Sequence, residues 1–174
     1  MKRGLVQTPS EAYQRYGPAL VRKAERVLRN PDDAMDIVQG LFVDLISRPP
    51  TSLDLPYLYS AVTNRCLNLI RNQSNRSRLL ESRQDALRGP ERTSLGDTVL
   101  TLDLLTHLLA ALDETSAEIV VYHYLDDLNQ DEVAQQMSMS RRAVVKRLTK
   151  IRTVARGIAR AASQSDTPKP ELRT

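Results

Sequence analysis

Cysteine, aromatic residues and long apolar runs are scarce in this sequence of 174 residues. Its one cysteine, Cys66, excludes an internal disulfide and a cysteine-rich metal site, and it suits a reducing compartment. There is no Trp and only one Phe, so we expect cores built from Leu, Val, Ile and Ala. No apolar run approaches the roughly 20 residues that span a bilayer, and the start lacks the apolar stretch of a signal peptide. These absences predict a soluble, cytoplasmic protein without membrane insertion.

Signatures of catalysis are also missing. The sequence has no Gly-rich loop of the kind that cradles phosphates. His107 and His123 lie among apolar residues in separate predicted helices, which is typical of structural histidines. The acidic pairs Asp126-Asp127 and Asp131-Glu132 stand where helix capping explains them. We therefore predict that the protein is not an enzyme and holds no metal or cofactor.

Helical periodicity is abundant, and no alternating run long enough to indicate a sheet is present. We expect an all-α fold with two small helical domains joined by a flexible linker. Helices are predicted from Pro9, with a break at Pro31 and a stop at Pro49-Pro50, and again over 55–71. The polar residues that follow Arg71 are interpreted as a loop and then a linker. The predicted divisions are a first domain at 1–80, a linker at 81–98, a second domain at 99–162 and a disordered tail at 163–174.

The segment 129–150 has the pattern of a helix-turn-helix. Asn129 and Glu132 have the spacing of a capping box, and Ser140 is placed to cap the second helix. That helix carries Val144, Leu148 and Ile151 on one arc and basic residues on the other, so its outer face suits a DNA major groove. An ordinary solvated basic face would give the same pattern. The candidate DNA-binding residues are Arg141, Arg142, Val145, Lys146, Arg147, Thr149 and Lys150.

A second amphipathic segment, 32–45, has an acidic and partly apolar outer face made of Asp32, Asp36, Gln39 and Val43. Such a face is unusual for a surface that touches nucleic acid. It suits docking onto a basic helix of a protein partner. A solvated helix face remains the alternative interpretation.

Three segments resemble, in order and spacing, the extracytoplasmic-function (ECF, group IV) sigma factors of bacterial RNA polymerase: DAMDIVQGLF, LPYLYSAVTNRCLNLIR and LDETSAEIVVYHYLDDLNQDEVAQQMSMSRRAVVKRL. The resemblance covers about residues 10–160. It implies an N-terminal region 2 that docks on the β′ coiled coil of core RNA polymerase and captures the promoter −10 element. It also implies a C-terminal region 4 that binds the −35 element and the β flap. An anti-sigma factor is a further implied partner.

Individual positions match the family's motifs. Asp36 and Gln39 match positions on the polymerase-binding helix, and Arg71 matches the basic residue that ends the helix facing the −10 DNA. The candidate −10 residues are Asn64, Arg71, Asn72, Gln73, Ser74, Asn75, Arg76 and Arg78. Ser138 replaces the Gly frequently found in the helix-turn-helix turn, at a position that we expect to have φ > 0.

Two functions of other classes compete with this one. A stand-alone helix-turn-helix repressor would bind a duplex operator tightly without polymerase, but the acidic docking face and the lack of a dimerisation segment argue against it. A protein-interaction adaptor would show no salt-dependent affinity for DNA.

Overall fold

The computed structural model describes residues 8–50, 52–84 and 97–165. Within these ranges the chain forms seven α-helices, one π-helical turn and no strand, which confirms the all-α prediction. The helices are α1 (Pro9–Leu28), α2 (Pro31–Ser47), α3 (Leu55–Gln84), α4 (Asp97–Ala111), α5 (Glu114–Val120), α6 (Gln130–Gln136) and α7 (Arg141–Ser165), and the π-turn is Val121–Leu125. Helix α7 continues to Ser165, so the prediction of a disordered tail from residue 163 is wrong for 163–165. The rest of that tail and the middle of the predicted linker, 85–96, lie outside the described residues.

The starts of α1 and α2 follow directly from their sequences. Thr8 caps α1 in a reciprocal capping box with Glu11, and Pro9 occupies the first turn, where no backbone donor is required. Asn30 caps α2, and Pro31 again stands at the start. The predicted break at Pro31 and the predicted stop before Pro49 are both confirmed.

The interpretation of 72–78 as a loop is wrong, because α3 continues without interruption to Gln84. The polar composition of 72–78 does not by itself indicate a lack of helical structure. From Tyr57 to Gln84 the chain contains no Gly or Pro, and Arg, Gln, Leu and Glu are good helix formers. α3 is therefore about 45 Å long, and it extends past the boundary predicted at residue 80.

The helix-turn-helix is formed by α6 and α7. The capping box of Asn129 and Glu132 is present, and the Ser140 hydroxyl accepts from the Ala143 amide at 3.2 Å, so both predicted caps are confirmed. In the turn, Ser138 has φ 51°, as expected for a position that favours glycine. Local sequence signals determine this motif almost completely.

Helices α1–α3 form a first unit and α4–α7, with the π-turn, form a second unit. Apolar residues such as Leu20, Val38 and Leu58 fill the first core, and Ile119, Leu148 and similar residues fill the second. The two units also pack against each other, with α3 against α4 and α5 and α1 against the π-turn. The buried residues consequently form one continuous cluster. Nothing in the periodicity of the sequence indicates this contact.

Candidate nucleic-acid and polymerase interface

The outer face of α7 carries most of the predicted DNA-binding side chains. Val144, Leu148 and Ile151 are at most 2% exposed and hold the helix against the second core. The structure places six of the seven candidates on the exposed side, namely Arg141, Arg142, Val145, Lys146, Thr149 and Lys150. Val145 is 41% exposed, which leaves its methyl groups available for contact.

The basic side chains of this face differ in how far they are already engaged. Arg141 lies 3.6 Å from Asp131, but both side chains are well exposed, and such pairs contribute little. Arg142 and Lys146 make no hydrogen bond or ion pair with any part of the chain that the structure describes. These two cations are therefore available to an external polyanion.

Arg147, the seventh candidate, is half-buried and turned toward its own unit. Its guanidinium donates to the Asp113 carboxylate at 3.1 Å and lies 3.3 Å from the Ser116 hydroxyl oxygen. Asp113 is also the N-cap of α5. Burial raises the pKa of Asp113, but the bonds from Ser116 and the charges of Arg147 and Lys150 outweigh it, so that pKa lies below its usual value. The sequence pattern did not indicate this internal role of Arg147.

On α2, the four candidate polymerase-binding residues Asp32, Asp36, Gln39 and Val43 are all exposed. The structure adds a residue that sequence reasoning missed, because Ile46 is 67% exposed and Val43 is 61% exposed. Ile46 follows Gln39 and Val43 at helical spacing, so the period of the outer face was a signal that could have found it. The surface therefore combines carboxylates with two uncovered aliphatic side chains.

On α3, the structure brings some of the candidate −10 residues together and separates others. At about 100° per residue, Asn64, Arg71 and Asn75 fall within one narrow arc, whereas Gln73 lies on the opposite side. Asn72 and Ser74 lie on opposite sides of that arc around the helix axis, and Arg76 lies further from it. Arg78 belongs to the same helix, but its side chain lies outside the described part of the structure.

Asn64 lies at a cavity of about 600 Å³ between α2 and α3. Its Oδ1 atom is buried and has no hydrogen-bond partner among the described residues. Asp44 and Arg65 form an ion pair at the same cavity. An unsatisfied buried amide oxygen is costly, so Asn64 has a hydrogen-bonding capacity that the described part of the protein leaves unused.

Arg71 is only partly exposed because the second unit covers one side of it. Its guanidinium lies 3.4 Å from the carbonyl oxygen of Leu112. The charge of Arg71 also lowers the pKa of Glu118, although burial and the neighbouring Glu114 raise that pKa more. In this conformation Arg71 is thus engaged within the protein.

The remaining reactive side chains have structural surroundings. His123 Nδ1 lies 2.7 Å from the Leu128 carbonyl oxygen. Cys66 is completely buried, and burial raises the pKa of its thiol to about 12. Among the described residues, no group of His, Cys, Asp and Glu has the arrangement of a metal site. Over the same residues, no helix has both the length and the apolar character needed to cross a membrane.

Comparison with known proteins agrees with this geometry. The family description Sigma-70 region 2 matches residues 12–76, which include α1, α2 and most of α3. The description Sigma-70, region 4 matches residues 102–154, which contain the helix-turn-helix. A comparison with curated proteins gave no match. Because the region 4 match at 102–154 follows the region 2 match at 12–76 after only a short interval, the chain belongs to the ECF (group IV) sigma factors, DNA-binding regulators that direct RNA polymerase to initiate transcription at promoters.

Proposed function

We propose that this sigma factor uses α7 to read the −35 element. The arc of α3 that carries Asn64, Arg71 and Asn75 holds the −10 element. The outer face of α2 docks on the β′ coiled coil of core RNA polymerase. The observation that carries the proposal is the pair of exposed cations Arg142 and Lys146, whose side chains have no partner among the residues that the structure describes, on the helix that follows the helix-turn-helix turn.

The first two turns of α7 are suited to direct base reading. Arg142 and Lys146 are one helical turn apart, so their side chains reach successive base pairs in a major groove. Each good base contact of this kind contributes roughly 1–3 kcal/mol of discrimination. Val145 and Thr149 lie beside them on the same face of α7 and offer methyl groups to thymine. Specificity for the −35 element then comes from these four side chains.

Contacts with phosphates set the register of α7 on the duplex. Arg141 and Lys150 flank the base-reading residues and are exposed, so they neutralise phosphates at either side of the groove. Arg147 is already bonded to Asp113, and its part is to hold α7 against α5 at the angle that this docking requires.

The −10 element is opened, and unpairing a base costs a few kcal/mol that protein contacts must offset. Asn64 lines the cavity, and its buried amide oxygen has no partner among the described residues, so rotation of this side chain toward the cavity lets the oxygen accept a hydrogen bond from the exocyclic amine of a base. Asn72, Asn75 and Arg76 are exposed about two to three helical turns further along α3 and bind the strand backbone there. Ser74 and Arg78 extend that surface. Gln73 lies on the opposite side of α3, so it meets DNA only if the strand wraps around the helix.

Docking on polymerase uses the carboxylates and aliphatic side chains of α2 together. Asp32 and Asp36 steer the approach to a basic helix, and burial of Val43 and Ile46 supplies the apolar contact area. The second unit contacts the β flap, and an anti-sigma factor controls the free protein. These last two partners follow from family membership alone.

The test is in vitro transcription from the upstream region of the protein's own gene, with core RNA polymerase in the presence and absence of this chain. We expect a new start site that depends on the protein. The double variant Arg142→Ala with Lys146→Ala should abolish that start and leave polymerase binding intact. The matched control is Arg152→Ala with Arg156→Ala, which removes the same charge from exposed positions further along α7.

Two results would overturn the proposal. Unchanged promoter use by the Arg142 and Lys146 variant, or loss of its polymerase binding, would contradict the assignment of α7. Tight binding of duplex DNA without polymerase, together with no new start site, would favour the repressor.

A further inference from the structure

The contact between the two units contains polar groups that the proposed function does not use. Lys23 of α1 forms an ion pair with Asp126, the residue that follows the π-turn. The Lys23 side chain is 2% exposed and that of Asp126 is 11% exposed. A lysine buried to this extent is rare unless it is paired. Burial lowers the pKa of Lys23, and the bond to Asp126 opposes that effect.

The surroundings of Lys23 come from both units. Its ammonium lies 5.0 Å from the ring centre of Tyr59 in α3 and 5.0 Å from that of Tyr122 in the π-turn, within the range of a cation–π interaction. The neighbouring Arg26 donates to the Leu125 carbonyl oxygen at 2.8 Å. The Lys23 cation of the first unit is thus enclosed by Tyr59 of its own unit and by Tyr122 and Asp126 of the second.

A second group of hydrogen bonds lies around Ser60 of α3. The Tyr122 hydroxyl donates to the Ser60 hydroxyl oxygen at 3.1 Å, and the Gln136 side-chain amide lies 3.2 Å from the same oxygen. Gln136 also donates to the Pro56 carbonyl oxygen at 3.2 Å. Helix α6 of the helix-turn-helix is therefore tied directly to the region 2 helix.

We infer that the free protein is held in a closed conformation by the Lys23–Asp126 ion pair and the Ser60 hydrogen bonds, and that these contacts must break before both promoter elements are bound. The requirement for opening rests on the proposed function, whereas the closed conformation itself does not.

Distance alone makes opening necessary. The numbers −35 and −10 are positions in base pairs, so the two elements are about 25 base pairs apart. At about 3.4 Å per base pair this is about 85 Å along the duplex. A compact chain of 174 residues has a diameter on the order of 40 Å. The closed protein cannot reach both elements, and its Arg71, a candidate −10 residue, is engaged with Leu112 of the second unit.

The chemistry of the contact makes it separable. A buried ion pair contributes little net stability relative to the two solvated ions, because loss of hydration offsets the mutual attraction. When the units part, Lys23 and Asp126 regain water, and neither is left buried alone. The ion pair therefore adds little to the cost of separation and favours this arrangement over others, whereas the apolar surface that the units share sets the cost that binding of polymerase and promoter has to offset.

The first experiment measures closure by small-angle X-ray scattering of the full chain, without polymerase or DNA. We expect a radius of gyration near ~16 Å for the closed chain, increased by any extended termini. Asp126→Lys should raise it by several ångströms, and adding Lys23→Asp should restore the smaller value. The matched control is Asp127→Lys, the same charge change at the adjacent exposed residue.

Circular dichroism establishes that each variant keeps its helices. If Asp126→Lys unfolds, the milder pair Tyr122→Phe with Gln136→Ala removes the Ser60 bonds without placing a new charge in the contact, and it should also raise the radius. A wild-type protein that is already as extended as these variants would overturn the closed conformation.

The second experiment tests the need for opening. Ser60→Cys with Gln136→Cys places two thiols across the contact, and a short bismaleimide with a reducible bridge links them. Cys66 is buried and should not compete. We expect the linked protein to lose promoter-dependent transcription on the order of tenfold or more, with recovery after the bridge is reduced. Each single-cysteine variant, treated in the same way, is the control.

The outcomes separate this inference from the proposed function. Undiminished transcription by the linked protein would overturn the requirement for opening. Absence of transcription by the unlinked wild-type protein would overturn the proposed function, and the scattering would still decide whether the protein is closed.

Discussion

Arg147 of the helix-turn-helix is bonded to Asp113, the residue that caps α5, with 3.1 Å between guanidinium nitrogen and carboxylate oxygen. A side chain that sequence reasoning assigns to DNA is therefore part of the joint between two helices of its own unit. Arg142, five residues earlier and exposed, has no such partner among the described residues. The two arginines should respond differently to the same substitution.

Arg147→Ala should lower the stability of the protein by about 0.5–1 kcal/mol, since both side chains of the pair are more than a third exposed and solvent weakens their attraction. Arg142→Ala should leave stability unchanged and reduce promoter-dependent transcription more strongly. Urea unfolding followed by circular dichroism measures the first effect. Unchanged unfolding of Arg147→Ala, together with loss of DNA binding as severe as that of Arg142→Ala, would contradict the internal role.

Asp36→Arg should remove binding to core polymerase without unfolding the first unit, because the residue is exposed on the outer face of α2 and reversal of its charge repels a basic partner. Pull-down of core polymerase by the purified variant measures the effect. Glu114→Arg makes the same charge change on an exposed residue of α5 and serves as the control. Equal retention of polymerase by both variants would refute this use of α2.

Ser138→Gly should stabilise the protein by up to about 1 kcal/mol. Ser138 has φ 51°, a left-handed conformation that costs a residue with a side chain roughly 1–2 kcal/mol, partly offset by the greater freedom of glycine in the unfolded chain. Thermal unfolding gives the measurement. Ser138→Ala keeps the strained side-chain carbon and should give no gain, so a gain as large as that of the glycine variant would argue against backbone strain.

Cys66 should be inert toward thiol reagents in the folded protein at pH 8. Burial raises the pKa of its thiol to about 12, so almost no thiolate is present, and only the thiolate is nucleophilic. Mass spectrometry after treatment with iodoacetamide should show no adduct until denaturant is added. Rapid labelling of the native protein would show that α3 opens from its neighbours far more often than its burial suggests.

The parts of the structure that were predictable from sequence depend on residues close together in the chain. The capping box of Asn129 and Glu132 and the positive φ of Ser138 each involve side chains within a few positions, so local chemistry decides them. The exposed face of α2 was predictable for the same reason, since helical spacing alone defines it.

The remaining parts depend on contacts between distant residues or on weak signals. Lys23 and Asp126 are separated by 103 positions, and no periodic pattern reports such a pair. Arg147 was placed among the DNA-binding residues because a helical wheel shows faces but not neighbours. The length of α3 was missed because a polar helix has no apolar stripe to mark it.

The π-turn at Val121–Leu125 adds about one residue to a helical turn. Removing one residue there would restore regular α-helical spacing and rotate everything after it by about 100° relative to everything before it. The Asp126 carboxylate would then swing away from Lys23 while Ser116 and Ile119 kept their places. For this protein the length of that turn is as strict a requirement as the identity of its side chains, because deletion of even the exposed Tyr124 would disturb both the packing of α7 on α5 and the contact between the two units.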